Sequence, residues 1–167
     1  DSLAVAIRAR TVSSHDDPQQ NADQFRALHA HLQARYPKAH AVLKREVVGD
    51  FSLLYTWQGS DAAAKPIGLM AHQDVVPIAP GTEKNWQVDP FAGQLKDGFV
   101  WGRGSWDDKA NLISQMEAVE LLAASGFQRR PPTLRRSRPG PAAGAREGAS
   151  TAGAGGRTEP DGAGRRR

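Results

Sequence analysis

The chain of 167 residues contains no cysteine, which removes disulfides, thiolate nucleophiles and thiolate metal ligands together. The same absence does not choose a compartment, because a cysteine-free chain is at home in oxidising and reducing surroundings alike. No apolar run approaches the ~20 residues of a membrane-spanning helix. The opening stretch DSLAVAIRAR has no initiating Met and no basic segment leading into a long apolar one. The expectation is a soluble chain with its leading residues trimmed, and cytoplasmic and exported settings both stay open. The length suits one domain with its own core and is tight for two.

Large apolar residues are scarce in one region above all. Residues 129–167 hold no aromatic side chain and one large aliphatic, Leu134, while thirty of the thirty-nine residues are Arg, Gly, Ala or Pro. Such a segment cannot bury enough apolar surface to offset its ordering entropy, so disorder is expected from residue 129. It also carries the basic charge, with ten arginines against three acids, whereas residues 1–128 hold twelve basic and fifteen acidic residues. One reading is an arm that binds phosphate backbones of nucleic acid, or acidic surfaces, without base-stacking platforms. A flexible solvated extension is the plainer one. The preferred reading is a frameshift near Gln128, because Arg, Gly, Ala and Pro have the codons richest in G and C.

Residues 1–128 are patterned differently, as periodic segments separated by short turn signals. Weak helical spacing over 1–10 precedes a polar loop. A helix is predicted over 22–36, with Phe25, Leu28 and Leu32 on one face and Pro37 as its stop. Strands are predicted over 41–48 and 51–58, joined through Gly49 and Asp50. A buried strand is predicted over 67–71, a long Gly- and Pro-rich loop over 78–98, and a short strand over 99–101. A last helix over 109–125 has Leu112, Met116, Val119 and Leu122 in its buried stripe and Gly126 as its cap. The succession is that of an α/β unit.

Two polar clusters fall at the C-terminal ends of predicted strands, His72 with Asp74 and Asp107 with Asp108. Open α/β sheets bind ligands outside the carboxyl ends of their strands. A neutral imidazole is a good zinc ligand, and a carboxylate two residues on can accept its other N–H and so fix tautomer and orientation. Asp74 is the candidate for that orienting role. An aspartate at a helix start, preceded by glycines that allow a tight turn, can give an oxygen to each of two metals roughly 3.5–4 Å apart, and Asp107 is the candidate. The plainer alternatives stand beside these. His-x-Asp alone is more often a capped turn, and Asp107 and Asp108 suit the N-cap and first turn of a helix. His29 and His31 do not face each other on a helix and read as surface or partial-core residues. Glu117 and Glu120 read as a solvated face; Trp86, Phe91, Trp101 and Trp106 read as packing residues; His15 and His40 give no signal.

The combination is more specific than its parts. LMAHQDVVP, then WQVDPFAG from Trp86 to Gly93, then DGFVWGRGSWDDK and a helix ending LLAASGF resemble the co-catalytic zinc peptidases that include carboxypeptidase S, Gly-Xaa carboxypeptidase and the N-acyl-amino-acid hydrolases. A fainter likeness runs through AIRARTVS and FSLLYTWQGSD, so that it covers nearly all of residues 1–128 and stops near Gln128. The resemblance implies a zinc-peptidase-like central sheet flanked by helices, with His72 ligating one zinc, Asp74 orienting His72, Asp107 bridging two zincs and a cis bond between Asp107 and Asp108. It implies hydrolysis of an amide bond beside a free carboxylate, in peptides or N-acyl amino acids. One departure is Ala110, where the family has Gly or a small polar residue.

The larger departure lies downstream. The family's general base is the first of two adjacent glutamates soon after the last helix, the second glutamate is a metal ligand, and a further acid and a distant histidine complete the site. No histidine follows His72, and Glu147 and Glu159 have no Glu neighbour. No segment of these 167 residues is expected to form the family's lid domain. The expectation is therefore residues 1–128 as the N-terminal part of a zinc peptidase catalytic domain and 129–167 as a tail. Such a chain would hold one zinc or none, with impaired carboxypeptidase or amidohydrolase activity; the alternative is a non-enzymatic fragment whose basic tail binds nucleic acid or acidic surfaces.

Overall fold

The computed structural model of the protein describes residues 2–127 and the strand Thr133–Arg138. Helix α1, Ser2–Arg8, buries Ala4, Ala6 and Ile7. Helix α2, Ala22–Arg35, buries Phe25, Leu28 and Leu32, the face its apolar spacing predicts. Pro37 does more than stop that helix. It opens a second one, α3, Pro37–Val42, because a fixed φ and a missing N–H suit the first helical position. Strand β1 is consequently Lys44–Val48, shorter than the predicted 41–48. The side chain of Glu120 settles the matter from a distance, since its oxygens accept the N–H groups of Lys38 and Ala39 at 3.1 and 2.7 Å and cap α3.

Strand β2, Ser52–Trp57, pairs antiparallel with β1, Val48 opposite Ser52, around the predicted turn at Gly49 and Asp50. Strand β3, Ile67–His72, ends in the first candidate ligand. The predicted loop over 78–98 is broken by a single 3₁₀ turn, Glu83–Asn85, and by β4, Gln94–Lys96, which forms a small hairpin with β5, Phe99–Trp101. Helix α4, Lys109–Ala124, buries Leu112, Ile113, Met116 and Val119, whereas Leu122 falls beyond the core and is exposed.

The main sheet has the order β1-β2-β6-β3, where β6 is Thr133–Arg138. It runs antiparallel to β2 and parallel to β3, Ile67 opposite Thr133 and His72 opposite Arg138, and α4 lies in the crossover that parallel pairing requires. Composition predicts disorder here, yet these six residues form a strand. Its neighbours β2 and β3 each present unpaired backbone groups, and pairing through N–H and C=O depends little on side-chain composition. The rest of 129–167 lies outside the described residues, as does residue 1.

One core joins the layers: Leu28, Leu32, Tyr36, Leu53, Tyr55, Leu112 and Met116 meet in it, each contributing about 1.5–3 kcal/mol by leaving water. Strand β3 is not the buried strand its apolar run predicts. Ile67, Leu69 and Met70 are exposed and only Ala71 is buried, because β3 is an edge strand among the described residues. Amides of Asn111 and Gln115 on α4 donate to Met70 O, both at 3.1 Å, which holds the C-terminal end of β3 against the start of α4.

Candidate metal centre

Side chains alternate along an extended chain, so His72 and Asp74 share one side and Gln73 takes the other. Gln73 is fully buried and fastens the strand end. Its amide donates to Phe51 O, its Oε1 meets His29 Nε2 at 2.8 Å, and its carbonyl accepts Thr11 Oγ1 at 2.6 Å. His29 is thereby a core residue, and burial pulls its pKa below the usual histidine value despite the Gln73 contact. With Gln73 fixed, His72 and Asp74 are presented in a set direction.

His72 is bracketed by acceptors. Its Nδ1 lies 2.9 Å from Asp74 O and 3.2 Å from Asp74 Oδ1, so Nδ1 carries the proton and donates. Its Nε2 lies 2.7 Å from Asp107 Oδ1. Burial lowers the imidazole pKa, but the hydrogen bond it donates to Asp107 and the contacts with Asp74 outweigh it, and the His72 pKa lies above the ordinary histidine value. The two carboxylates differ in setting: the Asp74 side chain is 8% exposed and that of Asp107 is 82% exposed. The buried one accepts from the ring on the Nδ1 side, while the open one meets Nε2 and faces solvent.

Asp107 is brought to His72 by the turn before α4. The Asp107–Asp108 peptide bond is cis, as the resemblance implies. Asp108 occupies the N-cap position without capping through its side chain; instead its Oδ2 accepts His72 N at 3.1 Å, which ties the turn to β3. The turn also needs Gly102 and Gly104, where a Cβ would strike Ile7 Cγ2 at 2.5 Å and Val75 Cγ1 at 2.7 Å. An imidazole nitrogen and an open carboxylate oxygen meeting at one point, with a buried carboxylate behind the imidazole, fit a divalent metal in donor chemistry. Among the described residues no group of three or more His, Cys, Asp or Glu side chains gathers where it could hold a metal ion.

The pair opens onto a cleft of about 400 Å³ lined by His72, Asp74, Val76, Trp86, Arg103 and Trp106 among others. Trp106, expected to pack, is 90% exposed at its rim. Glu117 and Glu120, expected on a solvated face, meet Tyr36 Oη at 3.1 Å and the N-terminus of α3. Residues that sequence reasoning missed are Ser13, whose Oγ donates to Asp74 Oδ2 at 2.7 Å, and Lys109, buried with Nζ on Ala6 O and Ala9 O at 2.9 and 2.6 Å. Ser13 carries no local signal. A lysine at the start of an apolar helix stripe was the only hint of Lys109.

The structure thus sets a histidine–aspartate pair at a strand end beside an aspartate that leads into the next helix. Comparisons with known proteins give the family. Residues 68–134 match the model of peptidase family M20/M25/M40. Carboxypeptidase S of Saccharomyces cerevisiae is 43% identical over 133 residues, covering 75% of this chain and 23% of that protein. The N-fatty-acyl-amino acid synthase/hydrolase PM20D1 of Xenopus tropicalis is 36% identical over 132 residues, covering 78% and 25%. In fold, an M20 family metallo-carboxypeptidase, Sso-CP2 of Sulfolobus solfataricus, superposes with a TM-score of 0.64 over 82% of this chain and 29% of that one, at 15% identity. The family likeness is thus carried by residues 68–134, which match peptidase family M20/M25/M40, and by relatives aligned over about three quarters of the chain. The chain spans about a quarter of the length of the curated relatives it matches.

Proposed function

We propose that the chain carries part of the metal centre of an amide hydrolase acting on peptides or N-acyl amino acids. The observation that carries the reading is the bracketing of His72, with Asp74 behind Nδ1 and Asp107 at 2.7 Å from Nε2. His72 Nε2 and the Asp107 carboxylate would hold zinc, and Asp74 orients the ring. A bound zinc would supply a lowered water pKa and a polarised carbonyl. The chain's own residues do the rest: Asp74 keeps the Nδ1 proton in place, Ser13 holds Asp74, and the cleft receives the substrate beside Asp107. Amide hydrolysis beside a carboxylate follows the chemistry named for the carboxypeptidase and acyl-amino-acid relatives.

The 167-residue chain by itself holds no adjacent pair of glutamates, the pattern that serves as base and ligand in the family. General-base transfer typically contributes 10²- to 10⁴-fold, so this chain alone is expected to bind zinc at one weak site and to turn over little substrate. Residues 1–128 form the peptidase part in this reading, and 129–167 are read from a shifted frame. Sequencing the coding DNA tests that division: a second frame running on from Gly126 into an apolar strand and a Glu-Glu pair is expected, and its absence overturns it.

Zinc uptake by equilibrium dialysis tests the site. About one zinc per chain is expected, with at least tenfold weaker uptake in His72→Ala and Asp107→Ala. Uptake unchanged in both variants, or two tightly held zincs with normal turnover, would sink the reading.

A further inference from the structure

The ring of His72 leans on backbone as much as on side chains. Its Nδ1 is nearer to the carbonyl oxygen of Asp74, at 2.9 Å, than to the Asp74 carboxylate, at 3.2 Å. A turn of the backbone at Gln73, between the two residues, carries that acceptor away from the ring. The chain is pinned there on several sides. Thr11 Oγ1 donates to Gln73 O at 2.6 Å and Thr11 O accepts Val75 N at 2.9 Å. The Gln73 side chain, fully buried, donates to Phe51 O and meets His29 Nε2 at 2.8 Å.

These contacts leave one assignment of hydrogens. The Gln73 amide nitrogen is spent on Phe51 O, so Oε1 is the atom that faces His29 on α2, and an amide oxygen only accepts. His29 Nε2 therefore carries the hydrogen. Burial lowers the His29 pKa against the pull of the Gln73 bond, and the charge of Arg45 lowers it further, so at neutral pH the ring is uncharged with that one hydrogen. His29 is 8% exposed and Gln73 is not exposed at all. Without His29 the buried Oε1 loses its donor, and the carboxamide has to leave its place to find another. We infer that His29 is a positioning residue: acting through Gln73, it holds the backbone carbonyl that receives His72 Nδ1, and with it the direction in which Nε2 faces Asp107. The inference rests on reading His72 and Asp107 as metal residues and adds which residue of α2 keeps them aligned.

The test uses side chains that place a donor at different reach. The amide nitrogen of glutamine lies where Nε2 of histidine lies, whereas that of asparagine reaches only as far as Nδ1. In the metal-free protein near pH 6, the Nδ1–H signal of His72, identified by its loss in His72→Ala, reports by NMR whether the ring still donates to Asp74. Wild type and His29→Gln are expected to show the signal and to take up zinc within about threefold of each other. His29→Asn and His29→Leu should lose the signal and take up zinc about tenfold more weakly. Leu32→Ala, in the same helix and core, is the control that should lose stability and keep both. No signal in the wild type, a signal kept in His29→Leu, losses of the same size in Leu32→Ala, or equal behaviour of the Gln and Asn variants overturns the inference, and the last comparison decides even if His29→Leu does not fold. The metal reading is tested apart from it: if His72→Ala left zinc uptake untouched while the signal still followed glutamine over asparagine, the positioning would stand and the metal reading would fall.

Discussion

Ser13 Oγ donates to Asp74 Oδ2 at 2.7 Å, linking the loop after α1 to the end of β3 across sixty-one positions of sequence. Asp74 offers its other carboxylate oxygen, Oδ1, to His72 Nδ1 at 3.2 Å, so Ser13 helps hold the group that orients the imidazole. Removing the hydroxyl leaves Asp74 free to turn. Ser13→Ala is expected to weaken zinc uptake about threefold to tenfold, the equivalent of roughly 1 kcal/mol, and to cost about 1–2 kcal/mol of stability for a hydrogen bond to a charged group. Ser13→Thr should restore uptake. Dialysis and denaturant unfolding of the three proteins check it, and a stability loss without any change in uptake would place Ser13 in the fold alone.

Asp74→Asn keeps the shape and removes the charge behind His72. The Asp74 carboxylate is one of the groups that raise the His72 pKa, so the substitution should bring that pKa down, read from the imidazole signals of the metal-free protein by NMR. Zinc uptake should fall about 10- to 100-fold, as for partners that set a ligand's tautomer. A His72 pKa that does not move on substitution would show that Asp74 acts on packing and not on the ring.

Lys109 gives the molecule a pH dependence of its own. Burial, partly offset by the charge of Asp74, lowers its pKa from 10.5 to about 7. Between these values the unfolded chain binds a proton that the folded chain has released, so stability rises with pH across the interval, by up to about 1.4 kcal/mol per pH unit. The neutral amine still has two N–H groups for Ala6 O and Ala9 O. Tyr36 and Tyr55, held up to about 12 mainly by burial, work the other way only above pH 10. Urea unfolding at pH 7, 8 and 9 should therefore show increasing stability in the wild type and a flatter profile in Lys109→Met; equal slopes would disprove the assignment.

What the sequence made legible was what repeats over short distances. The face of α2 follows from Phe25, Leu28 and Leu32, and the shared direction of His72 and Asp74 follows from the two-residue period of an extended chain. The motifs put His72 and Asp107 at strand ends where a shared site could form, as it does, and the family resemblance implied the cis bond after Asp107. Long-range partners left no such trace. Gln73 reads as a spacer between two ligand-type residues, although it is the side chain that locks the strand end to α2 and to Phe51 in the turn before β2. Glu120 reads as solvated because the α3 terminus it caps is eighty-one positions away from it. Trp106 reads as core because large aromatics usually are, and only the turn into α4 shows that it faces solvent.

That turn yields the last prediction. Gly104 has φ +87°, and a Cβ there would lie 2.7 Å from Val75 Cγ1 and 3.3 Å from Lys109 Cδ. Gly98 has a similar φ of +80° but nothing within 4 Å of its Cβ position. Alanine at either site meets the backbone penalty of about 1–2 kcal/mol for a left-handed residue, but only at 104 is there a clash, worth a further ~1–3 kcal/mol in a packed setting. The excess has to be relieved by moving Val75, Lys109 or the turn itself, and Asp107 sits on that turn three residues away. Gly104→Ala should therefore lose more stability than Gly98→Ala and also lose zinc uptake, whereas Gly98→Ala should take up zinc like the wild type. Equal uptake by both variants would mean that the position of Asp107 does not depend on the packing under the turn.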